Sequence, residues 1–181
     1  MPCLDFVPDG AFLFFRTMNT YVITLSQVFP VTHVRAGEET GFKDKFLAAI
    51  KHAEGEWWKL HTIRANYELW KKRFEKIAQG KACLSIRQWT GKPYCSKQVE
   101  IARLTREDGI GLQKMTVAGC SVIHPIFADT TAVSAAELAH NDGLSSVDWN
   151  NWFSRYNLTE PLAIIQFTSF RYEYRRNTET V

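Results

Sequence analysis

Cys83-Leu84-Ser85-Ile86-Arg87-Gln88-Trp89, followed by Thr90-Gly91-Lys92-Pro93 and then Tyr94 through Ile101, is the stretch of this 181-residue chain that decides its fold class. The texture changes here to two mixed apolar and polar runs on either side of a tetrad containing Gly and Pro, which reads as a β-hairpin. Upstream, Tyr21-Val22-Ile23-Thr24-Leu25 is β-branched and apolar and predicts another strand. Between the two lie two helical patterns. Phe42, Phe46, Leu47 and Ile50 recur at helical spacing, with Thr40 as N-cap and a fading pattern at Glu54-Gly55. Asn66 caps a second helix over Tyr67 to Gln79, with Trp70, Phe74 and Ile77 on one face and Gly80 as its stop.

Downstream of the hairpin, strands are expected near Lys114 to Val117 and over Cys120 to Ile126, the second ended by Pro125 or shortly after. Ser134-Ala135-Ala136-Glu137 reads as a capping box, opening a helix that breaks at Asn141-Asp142-Gly143. A further helix, capped by Ser145 or Ser146, carries Trp149, Trp152, Phe153 and Tyr156, and Leu162 to Phe167 forms a buried closing strand. Five or six short strands with helices inserted between them indicate an α+β domain, with a small mixed or antiparallel sheet or barrel flanked by helices. The chain reads as one domain over residues 18–174. Residues 1–17 are expected to be an appendage, with Met18 as a possible start, and 175–181 a frayed tail.

Composition narrows the function classes. The longest early apolar run, Ala11 to Phe15, is shorter than the roughly 7 to 15 residues of a signal-peptide core and the ~20 that span a bilayer, so a cytoplasmic, membrane-free protein is expected. The four cysteines form no C-x-x-C. Cys83, Cys95 and Cys120 fall in strand-like runs, where inert thiols are the rule. The five histidines lack ligand spacing, so neither a metal nor a cofactor is expected. Phosphate-loop, dinucleotide, nucleophile-elbow and zinc-protease motifs are all missing. The formal net charge of +3 is unevenly spread: Lys59 to Arg106 holds twelve Lys/Arg against three acids. Such a block attracts anions, and Tyr67, Trp70, Trp89 and Tyr94 lie within it as stacking surfaces for bases. The competing reading makes Lys71, Lys72, Arg73 and Lys76 the solvated face of one helix and the rings core.

The stretch Trp58 to Arg64 carries the chemistry. Lys59-x-x-Thr62-Ile63-Arg64, followed about eighty residues later by Ala139-His140-Asn141-Asp142-Gly143-Leu144, an aromatic helix and the Ile164-Ile165-Gln166-Phe167 strand, resembles the ASCH domain family, related to the PUA RNA-binding domains. The likeness runs from Tyr21 to Tyr172. It implies a five- or six-stranded PUA-like β-barrel with helices outside and a cleft facing RNA or a nucleotide-type ligand. One branch of the family is similar to amidohydrolases that remove the acetyl group from acetylated cytidine. In that branch the motif lysine and threonine act with a glutamate. Those positions match Lys59 and Thr62 here, and the acidic position falls on Asp142, a shorter side chain.

The chemical demands follow from general principles. A threonine hydroxyl needs a base, and a lysine serves as one only when burial or nearby cations lower its pKa by several units from about 10.4. Asp142 would orient the lysine or protonate the leaving amine, and backbone N–H groups would hold the oxyanion. On a straight strand Lys59 and Thr62 point to opposite faces, so a shared site requires a bend or helical turn across Leu60-His61. The leading expectation is binding of RNA or a nucleotide-type ligand in a basic cleft, with the amidohydrolase as the alternative: Lys59 and Arg64 hold phosphate or a carbonyl oxygen while Arg87, Trp89 and Tyr94 engage and stack on a base. A ribonuclease of the same fold is the third reading. Each residue also has an ordinary role open to it: Lys59 a solvated strand end, Thr62 a strand residue, Arg64 a carboxylate partner, Asp142-Gly143 a turn between helices.

Overall fold

A computed structural model describes residues 18–52 and 58–173. The expected appendage at 1–17, the tail from 175 and the helix end at Glu54-Gly55 lie outside the described residues. The elements run β1 (Asn19–Thr24), α1 (Phe42–Ile50), β2 (His61–Arg64), α2 (Tyr67–Ala78), β3 (Ala82–Trp89), β4 (Gln98–Leu104), a 3-10 turn (Arg106–Asp108), β5 (Gly111–Val117), β6 (Ile126–Ala128), β7 (Thr131–Val133), α3 (Ala135–Asn141), α4 (Ser146–Phe153) and β8 (Leu162–Gln166). The α+β class is as expected.

The eight strands form two sheets, ordered β1-β3-β4 and β2-β8-β5-β6-β7. No backbone ladder joins them among the described strands, so the expected closed barrel of five or six strands is not what the described residues form. β1 runs parallel to β3, pairing Tyr21 with Leu84 and Ile23 with Ile86, while β3 and β4 are antiparallel with a register shift at Ile86/Arg87. Ile23, Leu25, Leu84 and Ile86 are buried, as the alternation requires. β8 is the most enclosed strand: it lies between β2 and β5, and all five of its residues are buried. A strand flanked on both edges and covered on both faces loses the period-2 signature, hence the unbroken Leu-Ala-Ile-Ile. Phe46 of α1 meets Phe167 edge-on, with ring centroids 5.0 Å apart, and fully buried Trp149 packs on Phe153 of the same helix.

Several boundaries differ from the sequence reading. Cys120 to Pro125 is a turn, and the strand starts after Pro125, pairing Ile126 with Val133 in a tight hairpin too short for periodicity to register. The second strand of the long hairpin begins at Gln98; Tyr94 to Lys97 belong to the loop, where Tyr94 has φ 63°. Cys95 and Cys120 are therefore exposed loop residues, and Cys83 alone of the three sits in a strand. Gly41, with φ 66°, occupies the N-cap position of α1, and the Thr40 hydroxyl accepts from the Phe42 N–H at 3.2 Å. Asn66 and Ser145 cap α2 and α4 through side-chain oxygens that accept from Leu69 and Asp148 backbone N–H groups. Ser134 accepts the Glu137 N–H at the start of α3.

Candidate functional site

α3 ends in a Schellman arrangement that sets the position of Asp142. Gly143, at φ 75°, donates its N–H to His140 O, and Leu144 donates to Ala139 O at 2.9 Å. Asp142 is thus the C-cap residue, buried, with its carboxylate turned toward Lys59. Lys59 precedes β2. Its N–H bonds Lys45 O, and the next residue, Leu60, donates to Asn141 O and accepts from Phe167 N–H. The regular strand begins only at His61, so the geometric condition on Lys59 and Thr62 is met outside the ladder: both side chains line one cavity.

Lys59 is only 2% exposed. Its ammonium donates to Asp142 Oδ1 and to Asp142 O at 2.8 Å, and lies 3.9 Å from the centroid of the Phe42 ring. Burial pushes the lysine pKa down, partly offset by Asp142 and reinforced by Arg64 and Lys45. Burial likewise pushes the Asp142 carboxyl up, opposed chiefly by Lys59. Both shifts favour moving the shared proton from nitrogen to oxygen, toward an amine–carboxylic acid pair. Lys59 is accordingly no solvated strand end.

The cavity beside this pair has a volume of about 50 Å³ and is walled by Thr24, Ser26, Phe42, Thr62, Arg64 and Trp152, among others. Arg64 donates from Nη2 to Thr24 O at 2.8 Å, and the Thr62 hydroxyl has no hydrogen-bond partner among the described residues. Lys45, which donates to Gly143 O at 2.7 Å and Thr40 O at 3.2 Å, ties α1 to the turn after Asp142. Phe42, Lys45, Ser26 and Trp152 were not singled out as site residues by sequence. Phe42 and Trp152 read as ordinary helix-face aromatics, and nothing local marks Lys45 or Ser26.

The remaining sequence candidates are not part of this cavity. Trp89 and Tyr94 contact each other with ring centroids 5.4 Å apart at the tip of the β3–β4 hairpin, Tyr94 being 90% exposed. Arg87 lies opposite Thr24 in the β1–β3 ladder, donates to the Ser85 hydroxyl and lies 3.9 Å from the Glu100 carboxylate. The basic block is likewise divided. Lys59 is in the core, Arg73 stacks over Trp70 and Tyr21, Arg103 pairs with Glu100, and Arg106 pairs with Glu107. Among the described residues no group of three His, Cys, Asp or Glu is placed to hold a metal ion, and no helix is long and apolar enough to cross a membrane. No family model matches this chain, and no curated protein or solved structure is significantly similar to it.

Proposed function

We propose that this protein is an amidohydrolase that removes a small acyl group from an acylated nucleoside such as acetylated cytidine, with Thr62 as nucleophile, Lys59 as base and Asp142 as acid. The observation that carries the reading is a lysine buried against a carboxylate at a cavity that Thr62 also lines. A cavity of about 50 Å³ has room for two or three heavy atoms, the size of an acetyl group and far less than a base. The ASCH resemblance and its barrel-like architecture belong to the same proposal, supported by Arg64 bridging from β2, an edge of one sheet, to β1, an edge of the other.

The protons balance across two half-reactions. In acylation the Thr62 oxygen attacks the amide carbonyl, its proton passes to the neutral Lys59 amine, and the Asp142 carboxylic acid protonates the departing nitrogen as the C–N bond breaks. The pair is then ammonium and carboxylate. In deacylation water attacks the ester, Asp142 takes a water proton, and Lys59 returns a proton to the Thr62 oxygen as acid is released. The amine–carboxylic acid pair is restored. A second reading, nucleotide binding without turnover, is favoured by half-buried Trp89, in contact with exposed Tyr94 and lining a groove of about 470 Å³ that also includes Lys43, Gln27, Gln88 and Glu100.

The test is chromatographic. Purified protein incubated with acetylated cytidine is expected to release cytidine, with turnover reduced by about 10³-fold or more in Lys59→Ala and Thr62→Ala. Absence of turnover, together with RNA affinity that falls steeply with salt and is lost in Trp89→Ala, would favour the second reading.

A further inference from the structure

We propose that Tyr172 is a positioning residue of the Lys59–Asp142 site, acting through Asn141 and His61; the inference rests on the amidohydrolase reading above. Five polar side chains, His61, Gln113, Asn141, Gln166 and Tyr172, are buried together behind the site. Asn141 Nδ2 donates to the Tyr172 hydroxyl at 3.0 Å, and that hydroxyl is 2.8 Å from His61 Nε2. Asn141 is the neighbour of Asp142, and His61 lies between Lys59 and Thr62. One hydroxyl thus joins the last turn of α3 to the first residue of β2, each one or two residues from the groups that must share a proton.

Tyr172 is also held through its backbone. The Tyr172 N–H donates to Gln113 Oε1 at 2.9 Å, and Gln113 Nε2 donates back to Tyr172 O at 3.0 Å. Gln166 Nε2 donates to the same Gln113 oxygen. Complete burial keeps His61 neutral, its pKa well below the ordinary histidine value. In either tautomer of the neutral ring, one hydrogen lies between the Tyr172 oxygen and His61 Nε2 while Asn141 donates to the same oxygen. Among the described residues His61 Nδ1 has no partner, and the Tyr172 hydroxyl is the one polar restraint on the imidazole. The backbone clasp by Gln113 holds Tyr172 in place, and Arg171 adds bonds to Thr168 O and Gly109 O. The titratable and charged groups facing this network are Lys59 beside His61, Glu137 and Asp142 beside Tyr172, and Asp129, whose carboxylate accepts from Gln113 Nε2 at 3.2 Å.

Tyr172→Phe keeps the ring, including its edge contact with Phe170, and deletes the link. The variant is expected to lose about ten- to a hundredfold in kcat on acetylated cytidine with KM changed less than about twofold. Loosening the pair admits water, so in ¹³Cε-lysine NMR Lys59 should titrate closer to an ordinary lysine than in the parent protein. Asn141→Ala, which cuts only one arm of the link, should move both readouts in the same direction by less. Phe170→Leu is the packing control: it should lower the unfolding midpoint yet leave kcat and the Lys59 titration in place. Should Tyr172→Phe fail to fold, Asn141→Ala decides. The proposal is overturned if the folded hydroxyl-link variants titrate Lys59 as the parent does, or if Phe170→Leu moves that titration equally. If the parent is inactive, the amidohydrolase reading fails, whereas the lysine titration still decides whether Tyr172 positions the pair.

Discussion

At the scale of single residues, the Lys59–Asp142 pair is the most consequential contact in the molecule. Two titratable groups removed from water gain little net stability from each other, but deleting one leaves the other buried without its partner. Asp142→Leu should therefore destabilise the fold by roughly 3–5 kcal/mol in urea titrations, and Lys59→Met by a similar amount. The double variant Lys59→Met/Asp142→Leu should recover most of that loss while remaining inactive, separating the pair's chemical role from its structural one. The neighbouring His61 makes stability depend on pH in a definite direction. Its folded pKa lies well below 6.5, so below that pH the unfolded chain binds a proton that the folded one refuses. Stability should fall on acidification from about pH 6.5, by up to about 1.4 kcal/mol per pH unit for this one group, and His61→Gln should remove that part of the slope. Activity should be bell-shaped in pH, because a pair holding one proton fails as an acid–base couple when it gains a second or loses the first.

At the scale of elements, the turn that ends α3 fixes where Asp142 points. Gly143 is left-handed at φ 75°, and a Cβ there would stand 3.2 Å from the Lys45 side chain and 3.4 Å from Lys59 Cβ. Gly143→Ala should cost about 1–2 kcal/mol for the backbone alone and lower turnover, because the crowded neighbours are Lys59 and the lysine that braces it; thermal unfolding and kinetics of the same preparation check both. Turns of this kind were legible: Asn141-Asp142-Gly143 announces a helix stop, as Asn66 and Ser145 announce helix starts, because capping is local chemistry. The β6–β7 hairpin was not legible, since three-residue strands carry no period and their pairing is decided by β5 alongside. Pro125 also misleads, ending a strand on paper and preceding one in the fold. The site divides the same way. Lys59, Thr62, Arg64 and Asp142 were found through a short motif and its distant partner, but Phe42 beneath the ammonium and Trp152 at the cavity wall resemble any core aromatic. Arg87, Trp89 and Tyr94 were grouped with them by charge and proximity in sequence, and the hairpin carries them to a separate surface.

At the scale of the whole molecule, the described residues form two sheets of three and five strands without a shared ladder, and the Arg64 guanidinium reaches from one to Thr24 O of the other. A planar fork aimed at a carbonyl is poorly replaced by an ammonium, so Arg64→Lys should weaken both stability and turnover, measured by urea unfolding and steady-state kinetics. The same architecture explains why the site is small: β2, the turn that ends α3, the start of α1, the end of α4 and the residues after β1 converge on it, leaving room for an acyl group. The central claim is that this acyl group passes through Thr62. Quenching the reaction with acetylated cytidine and mapping acetylation by peptide mass spectrometry tests it most directly. Acetyl on Thr62 during turnover, absent from Lys59→Met and from Thr62→Ala, is the predicted result; turnover with Thr62 unmodified, or undiminished in Thr62→Ala, would contradict the account.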